Sequence, residues 1–258
     1  RRELKPGIVH IGLGAFHRAH QAVYTQRALE KSFGPWGIVA VNLRSPEPVR
    51  ALEKQDGLYS IIVRSAEGDR AEVIGTTVDW LCAAERQQDV LDYLSNPDIR
   101  VVTLTVSEKA YGLDPMTGGL DFHHPAVAAD IAQPTRPQGV IGFLVEGLFR
   151  RWERGIDPFT VLSCDNLPSN GRVVRRLVLE MAGRRDQALA NWIESHGKFP
   201  CSMVDRIVPA ATDETRDRAA ALIKAETTTP QAVWFTSGTP KQVRKAVRKV
   251  SDRAAAKK

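Results

Sequence analysis

Ile8-Val9-His10-Ile11-Gly12-Leu13-Gly14-Ala15-Phe16-His17-Arg18-Ala19-His20 decides how this chain is read. An apolar run of β type turns on two glycines one residue apart and continues into residues 21–30, which have helical character. A strand that turns sharply into a helix presents unpaired backbone N–H groups and a positive helix end, a seat for a pyrophosphate. Gly12 permits the tight turn, and Gly14 lets the main chain approach phosphates with no Cβ in the way. The third glycine of the G-x-G-x-x-G pattern is absent, because His17 stands in its place. Taken alone, the pattern leaves an ordinary strand–turn–helix junction equally open.

Three further stretches follow in order: Leu104-Thr105-Val106-Ser107-Glu108-Lys109-Ala110-Tyr111, then Ser163-Cys164-Asp165-Asn166-Leu167-Pro168-Ser169-Asn170-Gly171, then Phe199-Pro200-Cys201-Ser202-Met203-Val204-Asp205-Arg206-Ile207-Val208-Pro209. Together with the opening Gly12-x-Gly14-x-Phe16-His17-Arg18-Ala19-His20-Gln21, they resemble the mannitol dehydrogenase family. These are the long-chain polyol dehydrogenases, which include mannitol 2-dehydrogenase, fructuronate reductase and tagaturonate reductase. The resemblance covers residues 1–212 and implies an α/β fold, a Rossmann-type, mostly parallel sheet. It also implies NAD as cofactor, with NADP as the alternative, and a small polyol or keto-sugar acid as substrate. Gly12, Gly14, Phe16, His17 and Arg18 are the cofactor-binding candidates of the first loop.

With 258 residues, 43% of them apolar and 26% charged, the chain has the composition of a soluble globular protein with room for one large domain. No apolar run reaches the ~18 residues of a membrane span, and the first residues have no signal-peptide pattern. Cys82, Cys164 and Cys201 are widely spaced in apolar surroundings and read as buried thiols of a cytoplasmic protein. No metal-ligand spacing occurs, and the adjacent His123 and His124 read as structural. The net charge is +6, yet eight basic residues and one acid beyond Thr239 contribute +7, leaving −1 for everything before. The basic character belongs to the tail and not to the body before it; no membrane or nucleic-acid partner is expected, and the Arg150, Arg151 and Arg154 cluster suits a helix C-terminus. A monomer or weak oligomer is expected.

Residues 38–43 form a second apolar run of strand length, and the segment after it is where a nucleotide-binding unit meets the adenosine ribose. Glu47 is the nearest carboxylate for the ribose hydroxyls, whereas Arg44 could hold a 2′-phosphate, and both could equally be solvated loop residues. Residues 58–64 and 71–76 flank an acidic turn and predict an inserted antiparallel hairpin. Residues 99–106 predict a strand that delivers Glu108 to the nicotinamide end, unless Glu108 simply pairs with Lys109 in water. Residues 159–163 predict another, ending at Cys164-Asp165-Asn166. An amide there can donate to a carbonyl oxygen that becomes an alkoxide, and the resemblance makes Asn166 half of an oxyanion hole. Its structural alternative is a helix cap shared with Asp165 and Asn170. The resemblance puts Asp205 and Arg206 beside an interdomain cleft, where they could also be a buried pair that fixes a turn.

The resemblance further implies a helical second domain carrying K-x-x-x-x-N-x-x-H: a lysine base, a second asparagine donor and an orienting histidine. No lysine in these 258 residues is followed at +5 by Asn and at +8 by His. Residues 1–212 are therefore expected to be a dinucleotide-binding domain, and residues 213–258 a basic, poorly packed tail outside the family pattern. Such a chain is expected to bind dinucleotide without turnover. The alternative is a non-catalytic module whose tail meets acidic partners.

Overall fold

A computed structural model describes residues 4–66, 68–204 and 207–227. The chain opens with β1 (Pro6–Ile11), α1 (Ala15–Ala19), α2 (Gln21–Lys31), β2 (Gly37–Asn42) and α3 (Glu47–Glu53). A hairpin, β3 (Tyr59–Ser65) and β4 (Gly68–Ile74), leads into β5 (Thr77–Cys82), α4 (Gln87–Ser95) and β6 (Val101–Leu104). A 3-10 turn (Glu108–Tyr111) precedes α5 (Pro125–Ala132), α6 (Val140–Glu153), β7 (Thr160–Ser163), α7 (Asn170–Arg185), α8 (Gln187–His196) and α9 (Asp213–Thr227).

Five strands form one sheet in the order β5-β2-β1-β6-β7, every neighbouring pair parallel. Strands buried on both faces read as near-continuous apolar runs, which is why 8–11 and 38–41 were legible as strands. The alternation of β1 sorts its side chains. Val9 and Ile11 enter the main core with α4, α6, α7 and α8, while Ile8 meets Ala22 and Val23 of α2 on the other face. The predicted hairpin is present as a separate antiparallel pair, Tyr59 opposite Ile74 through Ser65 opposite Gly68.

The strand order reverses between β1 and β6, so the crevice at their carboxyl ends is the topological switch point of the sheet. The fold therefore brings the glycine turn after β1 and the Ser107-Glu108 segment after β6 to one edge.

A buried ion-pair cluster locks α6 to α7. Glu146, 2% exposed, accepts from Arg150 at 2.6 Å and from Arg185 at 2.5 Å. α9 lies in the stretch expected to be an unpacked tail, yet it contacts β3 and β4, buries Ile223 and brings Arg218 to 3.4 Å from Asp69. The rest of the expected tail, residues 228–258, lies outside the described residues. Among the described residues no helix is long and apolar enough to cross a membrane.

Candidate dinucleotide site

Gly12 turns at φ +109, and a Cβ there would stand 2.1 Å from the Thr105 carbonyl oxygen of the next strand. Only glycine fits. Gly14 differs: a Cβ there would meet nothing nearer than the Gly12 carbonyl at 3.8 Å, so the space above it is open to an incoming group. Gly14 is the N-cap of α1, in extended conformation with no side-chain cap. The first N–H groups of the helix thus remain free to meet an acceptor. This open cradle fits a pyrophosphate.

Beneath the turn lies a polar network that sequence reasoning did not single out. His10 Nδ1 bonds the Thr103 hydroxyl at 2.7 Å, and its Nε2 sits 2.9 Å from the Thr105 hydroxyl and 3.1 Å from the Gly12 carbonyl oxygen. Thr105 also donates to that carbonyl at 2.7 Å. The loop is thereby tied to β6 by side chains about ninety positions away in sequence. The parallel register, which sets His10 opposite Thr103, makes the contact possible.

The missing third glycine has a physical explanation here. His17 turns its ring inward and stacks on His10, centroids 3.4 Å apart and planes 12° apart. It is 1% exposed, and neither ring nitrogen has a hydrogen-bond partner. α1 ends at Ala19, and the chain breaks at His20 (φ −119, ψ −90) before α2 begins at Gln21. Burial pulls the His10 pKa down to about 3. Burial, followed by the charges of His10, Arg18 and His20, holds His17 well below the usual histidine range. Both rings are neutral at physiological pH.

The other candidates distribute around this edge. Phe16 stacks on His20 at 4.8 Å. The Arg18 carbonyl accepts from the Tyr59 hydroxyl at 2.7 Å, which joins α1 to the hairpin. Past β2, Asn42 Nδ2 donates to the Ser45 carbonyl at 2.6 Å and shapes the segment. Arg44 is exposed there, while the exposed Glu47 begins α3 and accepts from the Ser45 hydroxyl, which with its own N–H lowers its pKa.

Glu108 is exposed at the start of the 3-10 turn after β6, and Asn166 is exposed just past β7. Asn166 does not cap α7, whose N-cap is Ser169 without a side-chain cap bond. Asn170 has the buried structural role instead. Its amide bridges the carbonyls of Ser163, Asp165 and Ser202, and its oxygen accepts from Gly171 and Ser202. Asp205 and Arg206 lie outside the described residues. Among those described, no group of three or more His, Cys, Asp or Glu residues could hold a metal ion.

The family model described as mannitol dehydrogenase Rossmann domain matches residues 6–229. D-mannonate oxidoreductase of Escherichia coli K12 is 44% identical over 216 residues, 82% of this chain and 44% of that protein. A substrate-free D-sorbitol dehydrogenase superposes with a TM-score of 0.81 at 36% identity, over 96% of this chain and 53% of that one. Pseudomonas fluorescens mannitol 2-dehydrogenase, solved in a ternary complex with NAD and D-mannitol, gives a TM-score of 0.80 at 39% identity, over 85% of this chain and 46% of that one. The chain thus spans about half the length of these relatives. With its glycine turn at the switch point of a five-stranded parallel sheet, it belongs to the mannitol dehydrogenase family of oxidoreductases, as a Rossmann domain of that type.

Proposed function

We propose that this chain binds NAD(H) as the cofactor half of a polyol or uronate dehydrogenase, acting between mannitol and fructose or between mannonate and fructuronate. The observation that carries the reading is the open cradle over Gly14, at the carboxyl edge of the central strand of a mannitol dehydrogenase Rossmann domain. The main-chain N–H groups from Ala15 onward, at the α1 terminus, would hold the pyrophosphate, the Gly14 N–H being spent on the Gly12 carbonyl at 2.7 Å. Phe16, His17 and Arg18 shape that turn, and Glu47 or Arg44 would meet the adenosine ribose. When bound, the nicotinamide supplies the hydride acceptor or donor.

On the β6 and β7 side, Glu108 and Asn166 would face the reacting end. The Asn166 amide would donate to the substrate oxygen as it gains negative charge, and Asp205 and Arg206 would order the substrate side. The chain alone is expected to bind without turnover. A single oxyanion donor forfeits ~10²–10³ in rate, and the absence of a lysine base a further ~10²–10⁴. Calorimetric titration with NADH and NADPH, followed by assays with mannitol, fructose, mannonate and fructuronate, tests this. Saturable binding with no measurable turnover is expected. Failure to bind either dinucleotide would refute the reading, and turnover abolished by Asn166→Ala would reveal a base not recognised here.

A further inference from the structure

Two neighbouring strand ends converge on one carboxylate. Asp165, two residues past β7, reaches back over the loop that follows β6. Its Oδ2 accepts from the Val106 N–H at 3.0 Å and the Tyr111 hydroxyl at 2.7 Å, and its Oδ1 from the Ser107 N–H at 3.1 Å. The Tyr111 hydroxyl also lies 2.9 Å from the Ser163 hydroxyl in β7, so side chains join the two strand ends as well. Tyr111 is 1% exposed, and burial, reinforced by the Asp165 charge, keeps its phenol protonated.

The residue held by this clamp is strained. Ser107 has φ 71 and ψ 156, a region that side-chain-bearing residues avoid at a cost that only a surrounding structure sustains. Asp165 supplies that support, and the exposed candidates are the next residues in the chain on either side of the clamp. Glu108 follows Ser107 from one strand end, and Asn166 follows Asp165 from the next. In a doubly wound sheet the adenosine half lies on the side of the first two strands, and the second half of the ligand lies across the switch point, here over β6 and β7.

We propose that Asp165 is a positioning residue that builds the seat of the nicotinamide half, by holding Ser107 in its strained conformation and so presenting Glu108 and Asn166 to the same space. The proposal rests on the dinucleotide reading above. It assigns no contact of Asp165 with the ligand; the carboxylate is spent on main-chain and phenol donors.

The test compares NADH with ADP-ribose, which shares the adenosine, pyrophosphate and second ribose but lacks the nicotinamide. Asp165→Asn should weaken NADH binding by about tenfold, as expected for loss of a charge-assisted network, while ADP-ribose affinity stays within about twofold. The shift of NADH fluorescence on binding should shrink in parallel. Tyr111→Phe removes one donor with little change of volume, and should act in the same direction more weakly, so a poorly folded Asp165 variant does not end the test. Equal weakening of both ligands would reduce Asp165 to a general stability role and overturn the proposal, as would unchanged NADH affinity. Wild-type protein that binds ADP-ribose but gains nothing from the nicotinamide would also overturn it. Wild-type protein that binds neither ligand would instead overturn the dinucleotide reading and, with it, this proposal.

Discussion

The stacked histidines make stability depend on pH in a way that one substitution dissects. An unfolded chain protonates histidine near pH 6.5, whereas His10 in the fold resists until about 3 and His17 is depressed as well. Protons are then bound more by the unfolded state. Stability is therefore fully present above the unfolded pKa and drains away as pH falls below it. A histidine that stays neutral in the fold removes about 2 kcal/mol between pH 7 and pH 5, a figure set by its unfolded pKa. Burial penalises a charge on either ring, a proton on His17 would also face the Arg18 cation, and protons on both would set like charges 3.4 Å apart.

Asp130 works in the opposite direction over this window. Burial raises its carboxyl to about 6, so the folded state gains a proton there as pH falls, although the Gln138 and Gly139 N–H groups oppose the shift. The decisive quantity is thus a difference between two proteins that share Asp130. His17→Phe preserves an aromatic ring over His10 and orphans no hydrogen-bond partner, because His17 has none. Urea unfolding followed by tryptophan fluorescence at pH 7, 6 and 5 should show the variant losing about 2 kcal/mol less than wild type across that range. Parallel pH curves for the two proteins would refute the claim that His17 is neutral and dry in the fold.

Other outcomes follow from single positions. Gly14→Asp should leave the melting temperature nearly unchanged, since a Cβ is accommodated there, yet weaken NADH binding by at least about tenfold by placing a carboxylate against the pyrophosphate. His17→Ala should weaken it far less, and equal affinities would refute the phosphate-loop assignment. Gly12→Ala should cost about 3 kcal/mol or more, seen as a lower urea midpoint, because its Cβ would collide with the Thr105 carbonyl at a φ that only glycine adopts freely. Glu146→Ala leaves Arg150 and Arg185 facing each other without their shared acceptor, and should lower stability by about 3–5 kcal/mol in thermal or urea unfolding.

Local signals carried much of this fold. The glycine turn, the hairpin and the strands β1, β2, β6 and β7 follow from apolar runs and turn residues, and the structure places each where those signals put it. β5 escaped because its middle is broken by Asp79. That carboxylate is satisfied by the Trp80 N–H and by the Tyr93 hydroxyl arriving from α4, a tertiary contact that no pattern in residues 77–82 announces. His10 is a polar residue within the apolar run of β1 to which the sequence assigns no role. Its partners Thr103 and Thr105 lie on β6 and beyond it, and only the parallel pairing reveals them. Asp165 entered only as a partner in the capping alternative for Asn166, yet it accepts from the loop after β6. In each miss, the local reading was overruled by a group brought in by sheet topology.

A division of labour at the sheet edge underlies the proposal that this chain binds a dinucleotide without turnover. The proposed pyrophosphate seat is the main chain at the start of α1, in a turn shaped by Gly12 and Gly14 and steadied from below by His10, Thr103 and Thr105. A seat built from backbone N–H groups keeps its affinity as long as the turn keeps its shape, whatever stands across the crevice. The chemical end is different. Glu108 and Asn166 are exposed, and each depends on a strand end clamped through Asp165. Side chains that face water have a high local dielectric and no fixed partner, which is the condition under which an oxyanion donor stabilises least. Covering that rim would strengthen the Asn166 hydrogen bond to the substrate oxygen without altering the phosphate seat. Under the proposed function, the described residues would hold the dinucleotide and contribute Asn166 as a single exposed donor to hydride transfer. A measured affinity for ADP-ribose would accordingly report on the turn at Gly12 to Arg18, the further gain with NADH on the strand ends clamped by Asp165, and a measured rate on what encloses Asn166.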